Sequence, residues 1–398
     1  MDQSELEENK FGGFKIPTST LRAYTMLFAL ALIWVFFHFQ TGGIFLSPRN
    51  LSNLMIQTAV TGVLAVGMLM VIVSGHIDLS VGSVLGFAGG IAACQLACGT
   101  SMLAKVLPNQ DVRLVSALLC AVLVCVLIGL VNGVLVAYGK IPAFIVTLGG
   151  LLAWRGAIKG YSHGETIPVA SESFKAIGQK YLDKNAGWVI AAIAIVAVFA
   201  AIINSLKKRQ NYGLEQANPI SMVLKILIPS IFILAFVFVM NQYAGIPNAV
   251  LILIIVALIG TVLTQQTTFG RYLYAIGGNS DAARLSGINI EYHIVLVYCL
   301  LGALTGLAAI IYTARVGSAS PDAGVLKELD AIAACVIGGA SLMGGRGTIL
   351  GACVGALIMA SLDNGMSLLN VKDFMQDIIK GAILVAAVGL DMIGRKQD

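Results

Sequence analysis

Residues 247–314 read PNAVLILIIVALIGTVLTQQTTFGRYLYAIGGNSDAARLSGINIEYHIVLVYCLLGALTGLAAIIYTA. Two apolar runs, 247–264 and 294–314, enclose one polar island, Gln265 to His293. A run of about 20 apolar residues crosses a hydrocarbon core of about 30 Å as a helix, because its backbone groups must bond to one another. The island cannot remain in lipid, so it is a water-exposed loop between two crossings. Within it, Gly277 and Gly278 loosen the backbone, Asn279 or Ser280 caps a helix start, and Gly287 ends that helix. This spacing predicts a short exposed helix from Asp281 to Ser286. Ala282 and Ala283 would let a partner's backbone approach closely, while Asp281 and Arg284 keep the segment soluble. A loop of this length inside a compact domain is uncommon without a role. The expectation is a docking knob.

The rest of the chain carries the same message. With 58% hydrophobic and 11% charged residues and a mean hydropathy of +0.89, an ordinary water-soluble domain is excluded. The 44 glycines, with many Ala and Ser, let helices pack backbone to backbone where lipid gives no hydrophobic drive. The net charge of +5 belongs to loop lysines and arginines. No basic cluster is interleaved with aromatics, so nucleic acid is not an expected partner; membrane lipid is. Cys94, Cys98, Cys120, Cys125, Cys299, Cys335 and Cys353 fall mainly in apolar runs and form no C-x-x-C, so neither a metal nor a redox site is expected. Glu5, Glu7 and Glu8 oppose the basic start of a signal peptide. Residues 1–20 therefore read as a cytoplasmic tail ahead of a retained first span.

Apolar runs and polar breaks give about twelve membrane segments, near 21–41, 51–73, 80–104, 114–138, 142–158, 187–205, 222–240, 247–264, 294–314, 331–344, 347–364 and 376–393. The fold expected is all-α: a polytopic bundle of 10–12 segments, the shorter ones broken or re-entrant, forming one domain over 21–398. An even count puts both ends on one side. A cytoplasmic N-terminus then places Lys207, Lys208, Arg209, Arg271, Arg284, Arg395 and Lys396 inside, as the positive-inside rule prefers. The loop from Lys159 to Lys184 falls outside with several lysines, but acids are mixed in and long loops obey the rule poorly.

Two stretches look discontinuous, a common mark of transport paths. They are SGHIDLSVGSVLGFAGG (74–90) and ELDAIAACVIGGASLMGGRGTILG (328–351). An Asn-Gly pair follows each, Asn132-Gly133 and Asn364-Gly365, which suggests two distantly related halves. Asp78, next to Ser80, and Asp330 either cap helix starts, where negative charge is favoured, or line the path. Asp363 and Asn364 in MASLDNGMSLL (359–369) either hydrogen-bond across helices or touch a hydroxylated substrate. His38 and His76 lack partners at ligand spacing. There is no H-E-x-x-H, no G-x-S-x-G and no G-x-x-x-x-G-K-[ST], so no catalytic residue and no cofactor are assigned. GGRGTILG (344–351) reads as a tight turn between helices.

Four motifs, SGHIDLSVGS (74–83), KIPAFIVTLGG (140–150), FGRYLYAIGGNSDAARLSGIN (269–289) and ELDAIAACVIGGASLMGG (328–345), resemble the permease subunits of bacterial sugar ABC importers of the ribose, galactose and xylose type. The resemblance runs from about residue 50 to the C-terminus. It implies a multi-pass homodimer in the bacterial inner membrane, a periplasmic sugar-binding protein, and a separate ATPase with two nucleotide-binding domains. The chain would then be no enzyme. It also implies that Gly278, Asn279, Ala282, Ala283, Leu285, Ser286 and Gly287 form the ATPase-coupling segment. MASLDNGMSLLNV (359–371), KGAILVAAVGLDM (380–392) and extra helical material near 207–242 resemble the xylose-type members, so a pentose, D-xylose, is the expected substrate. His76 departs from the glycine or acidic neighbour expected before Ile77-Asp78. An ion-coupled secondary transporter using Asp78 and Asp330 is the alternative; a membrane enzyme lacks any catalytic constellation.

Overall fold

The computed structural model describes residues 18–97, 109–211 and 219–395. Most of the tail, Cys98 and Lys396 lie outside the described residues, as do the side chains of Lys207, Lys208, Arg209 and Arg395. The helices are α1 (Thr18–Gln40), α2 (Pro48–Val73), α3 (Val81–Leu96), α4 (Gln110–Ala137), α5 (Ala143–Tyr161), α6 (Glu172–Gln179), α7 (Lys184–Asn211), α8 (Pro219–Asn241), α9 (Asn248–Gln266), α10 (Thr268–Gly278), α11 (Ser280–Leu285), α12 (Ile290–Val316), α13 (Lys327–Ile337), α14 (Ile349–Leu368) and α15 (Asp373–Arg395). Two short strands, β1 (Ile167–Pro168) and β2 (Ser318–Ala319), pair antiparallel.

Each of the twelve expected segments overlaps one helix, the segment 80–104 as far as Leu96, with the described residues stopping at Ala97, and the segment 331–344 as far as Ile337. Seven of these (α2, α4, α7, α8, α9, α12 and α14) are long and apolar enough to cross a membrane. The exceptions that matter are α3 and α13, with 16 and 11 residues. At 1.5 Å per residue they reach only about 24 and 16 Å, short of a full crossing. These are the two discontinuities that the sequence marked.

Local chemistry sets the ends. Ser47 accepts from the Asn50 N–H ahead of Pro48, and α2 stops where Gly75 turns left-handed at φ +84°. Asn289 accepts from the Tyr292 N–H at 3.0 Å to start α12, which ends at Gly317. Thr348 starts α14 in the same manner, accepting from the Gly351 N–H at 3.1 Å. Each cap satisfies a donor that the helix leaves open, worth about 1 kcal/mol.

Contacts show which helix ends lie together. The Gly345 N–H donates to the Val73 carbonyl at 2.9 Å, and Lys140 meets Glu291 at 2.9 Å. So α2 and α4 finish, and α5, α12 and α14 begin, at the end of the bundle that carries the island. Packing then reveals two related units. α2 packs on α13 and α14, α12 packs on α3 and α4, and α2 and α12 pack on each other. Because α2 and α4 run toward the island while α12 and α14 run away from it, α2–α3–α4 and α12–α13–α14 are an inverted pair, an arrangement that transporters use to build a central site. Small residues permit the close crossings. In the α4–α12 contact, Gly129 and Gly302 each face the partner helix's backbone where a side chain would collide.

The α7–α8 pair lies at the periphery. Most of its apolar surface faces outward, and it is anchored at one end, where Ala191, Val237 and Met240 join a small core with Phe37, Leu54 and Met366. Opposite the island, α6 seals the end of α12, with Gly178 against the Arg315 backbone and Gln179 donating to the Arg315 carbonyl at 3.1 Å.

Candidate functional site

The island folds into α10 and α11. Thr267 starts α10 by accepting from the Gly270 N–H at 3.3 Å. Gly277 and Gly278 do not loosen the backbone: both lie inside α10, and Gly277 packs so tightly on the Val73 carbonyl and the Gly345 N–H that a side chain there would collide with both. The Tyr274 hydroxyl donates to the Gly347 carbonyl at 2.7 Å, and burial pushes its phenol up, which keeps it a donor. The island is thereby fastened to the end of α2 and to the turn between α13 and α14.

Asn279 is the cap of α11, accepting from the Ala282 N–H at 3.0 Å. The helix runs Ser280–Leu285, one residue earlier than the sequence suggested, and Gly287 adopts φ +83° after it. The helical period divides the expected docking residues. Ala283 is only 4% exposed and joins the core with Ile276, Ile290 and Ile294. It supports the knob from beneath and offers a partner nothing. Ala282, Ser286 and Gly287 face outward, and Leu285 is 89% exposed. Arg284 and Lys140 both reach Glu291, at 2.7 and 2.9 Å, tying α11 to the start of α12. A cleft of 620 Å³ runs beside the knob between His76, Asn279, Ser280 and Arg284. A second of 440 Å³, near Lys140, Pro142 and Phe144, shares Gly75, His76 and Ile294 with it.

Deeper in the bundle, the structure brings Asp78, Ser80 and Asn132 together. Asp78 is buried, and its Oδ1 accepts from both the N–H and the hydroxyl of Ser80 at 2.6 Å. Asn132 donates to the Ser80 Oγ at 3.3 Å. The carboxylate thus braces the turn that starts α3, where a helix N-terminus favours negative charge. Nearby, Tyr298 is fully buried, edge-on to His76 at 6.4 Å between centroids, and its hydroxyl has no hydrogen-bond partner among the described residues.

Asp330 and Asp363 come together in the other half, with two cations that the sequence reading passed over. Lys327 contacts Asp330 at 2.6 Å and Asp363 at 3.6 Å; Lys380 contacts Asp363 at 2.7 Å and Asp330 at 3.6 Å. Two positive and two negative groups form a closed ring joining α13, α14 and α15. Asp330 is 2% exposed. The side chains of Lys327, Asp363 and Lys380 are 22%, 22% and 18% exposed, so losing one member costs less than the roughly 3–5 kcal/mol of a fully buried pair. Asn364 points elsewhere, accepting from the Asn50 Nδ2 at 2.8 Å and so linking α14 to α2. Among the described residues no group of His, Cys, Asp and Glu is arranged to hold a metal ion.

A helical membrane bundle with two broken helices and an externally presented knob agrees with what comparison finds. Residues 50–388 match the family described as branched-chain amino acid transport system / permease component. The chain belongs to this permease family. It is a multi-pass bacterial membrane protein and a transport component, not an enzyme. It is 44% identical to a xylose transport system permease protein of Haemophilus influenzae over 388 residues, covering 96% of this chain and 100% of the relative. The xylose transport system permease protein of Escherichia coli K12 is also 44% identical, over 97% of this chain and 96% of its own length. A ribose import permease protein of the same strain is 35% identical over 87% of both chains. No solved structure was found to match the chain.

Proposed function

We propose that this permease is the membrane half of an ATP-driven importer that passes D-xylose into the cytoplasm by alternating access. It would act as a homodimer with an ATPase of two nucleotide-binding domains and a periplasmic sugar-binding protein. The observation that carries the reading is α11, a short helix, capped at Asn279 and supported on Ala283, that presents Leu285 to water on the far side. An apolar side chain presented on a short exposed helix is the kind of anchor that a hydrophobic groove on another protein receives. Its fastening to the end of α2 and to the α13–α14 turn supports a role in passing movement inward. The choice of a pentose rests on the xylose and ribose relatives. The distribution of Arg and Lys supports a cytoplasmic placement of the island.

An ion-coupled carrier would need a carboxylate free to take up a proton or sodium ion. Asp78 spends its Oδ1 on Ser80, and Asp330 sits in a charge-balanced ring, which favours structural roles. The deciding experiment places the permease with its ATPase and binding protein in proteoliposomes and measures D-xylose and D-ribose uptake. Uptake that needs ATP and the binding protein, with xylose preferred, is expected. Uptake on an ion gradient without ATP overturns the proposal.

A further inference from the structure

Both broken helices begin in the interior of the bundle, and they begin beside each other. Gly82 in the first turn of α3 lies against the Gly324 carbonyl and the Glu328 carboxylate at the start of α13, so closely that no side chain would fit at position 82. Arg155 of α5 closes this junction by donating to the Pro321 and Ala323 carbonyls at 3.1 and 2.7 Å. Two helix N-termini, the positive ends of two helix dipoles, therefore converge at one depth. Glu328 answers them with a buried carboxylate whose Oε2 has no hydrogen-bond partner among the described residues.

The other end of α13 reaches the island. Its eleven residues lead into the 338–348 turn, where Gly345 bonds Val73, Gly347 accepts from Tyr274, and Gly344 packs on Gly277. Between these ends α13 has little freedom. Gly338 and Ala334 meet the α14 backbone at Gly351 and Gly355, and the Cys335 thiol donates to the Ala65 carbonyl of α2 at 3.3 Å. The ring of Lys327, Asp330, Asp363 and Lys380 then fastens the interior end of α13 to α14 and α15 at the level of the junction. Buried ion pairs of this kind add little net stability but fix one arrangement against others.

We infer that α13 is a rigid lever between the island and the α3–α13 junction, with Lys327, Asp330, Asp363 and Lys380 as the positioning residues that make its interior end move with α14 and α15. The inference rests on the ATP-driven import reading. A displacement at the island then appears at the junction as movement of one packed unit. With the ring weakened, the interior end of α13 is no longer held to α14 and α15, so a displacement at the turn moves α13 alone and ATP is spent with less sugar moved.

The test uses the complete transporter in proteoliposomes, reading ATP hydrolysis stimulated by the sugar-loaded binding protein and sugar taken up in the same vesicles. Wild-type uptake is measured first; uptake that does not need ATP overturns the import reading and this inference with it. Asp363→Asn combined with Lys380→Gln removes one cation and one anion, leaving Lys327 and Asp330 as a balanced pair. It should keep assembly and stimulated hydrolysis while uptake per ATP falls between about twofold and about thirtyfold, the range of network mutations on coupling. Lys380→Arg, which keeps the charge, should retain wild-type uptake per ATP. Wild-type uptake per ATP in the double variant overturns the lever while leaving the import reading intact. A second arm needs no variant. Hydrogen exchange on the wild-type complex, nucleotide-free and ATP-trapped, should show 338–348 and 320–328 changing protection together. A change at 338–348 with 320–328 unmoved overturns the inference, and this arm decides alone if the double variant fails to assemble.

Discussion

Replacing Leu285 by Ala isolates the docking role of α11. In the free permease this side chain is 89% exposed, so its truncation removes no internal packing, and surface changes of this kind usually stay within about 0.5 kcal/mol. In the docked state, loss of three carbon atoms from a filled socket costs about 2.4 kcal/mol at about 0.8 kcal/mol per buried CH₂. At about 1.4 kcal/mol per decade, affinity for the ATPase should weaken about fiftyfold. The measurement is titration of the ATPase onto permease in nanodiscs, with thermal melting of the permease alone as the control and ATP-driven uptake as the functional readout. Weaker docking and slower uptake at an unchanged melting temperature are expected. Affinity within about threefold of wild type, a difference of roughly 0.7 kcal/mol, would refute the assignment of Leu285 as the anchor. Ala283→Arg cannot serve the same purpose. Ala283 is enclosed by the permease's own core, so a long cation there disrupts the support of α11 before any partner arrives, and melting temperature and docking fall together.

Asp78→Asn retains an acceptor for the two Ser80 donors and should leave melting temperature and uptake near wild type, whereas Asp78→Ala strands both donors and should destabilise by about 1–3 kcal/mol. Neither should alter the response to a proton gradient; selective loss of a gradient-driven component in Asp78→Asn would restore the ion-coupled alternative. Ser280→Cys, in a background without native thiols, should resist an impermeant thiol reagent in intact cells and react in inverted vesicles. Labelling from outside would reverse the orientation given to the island.

The sequence made the bundle, its twelve segments and both breaks legible because bilayer thickness translates directly into run length, and Gly, Ser and Asp accumulate where a run must stop. It also located the knob, since Asn279 and Gly287 are chemically suited to the two ends of α11. Which side of α11 faces water was not legible. With six residues, the helix gives fewer than two turns of pattern, and its two adjacent alanines are equally compatible with a supporting and a docking face. Gly277 misled for a related reason: glycine permits both a loose backbone and a crossing too tight for a side chain, and only the neighbouring Val73 carbonyl distinguishes them.

The polar residues in the spans show the same limit from the other direction. Asp78 with Ser80 is a local pair, two positions apart, and its capping geometry can be anticipated from the chain. Asp330 and Asp363 depend on Lys327 and Lys380, and three helices must be packed before the four charges close into a ring. Lys327 lies ahead of the apolar run 331–344 and Lys380 inside the run 376–393, so nothing along the chain pairs both of them with the two carboxylates. The inverted halves therefore hold their broken helices by different means: a neutral set around one carboxylate at α3, and a charge-balanced ring at α13. The ring lies in the unit whose turn touches the island. A hydrogen-bonded cap fixes where a helix starts, but a ring spanning three helices also fixes what the helix moves with, which is the property a lever attached to the docking end requires.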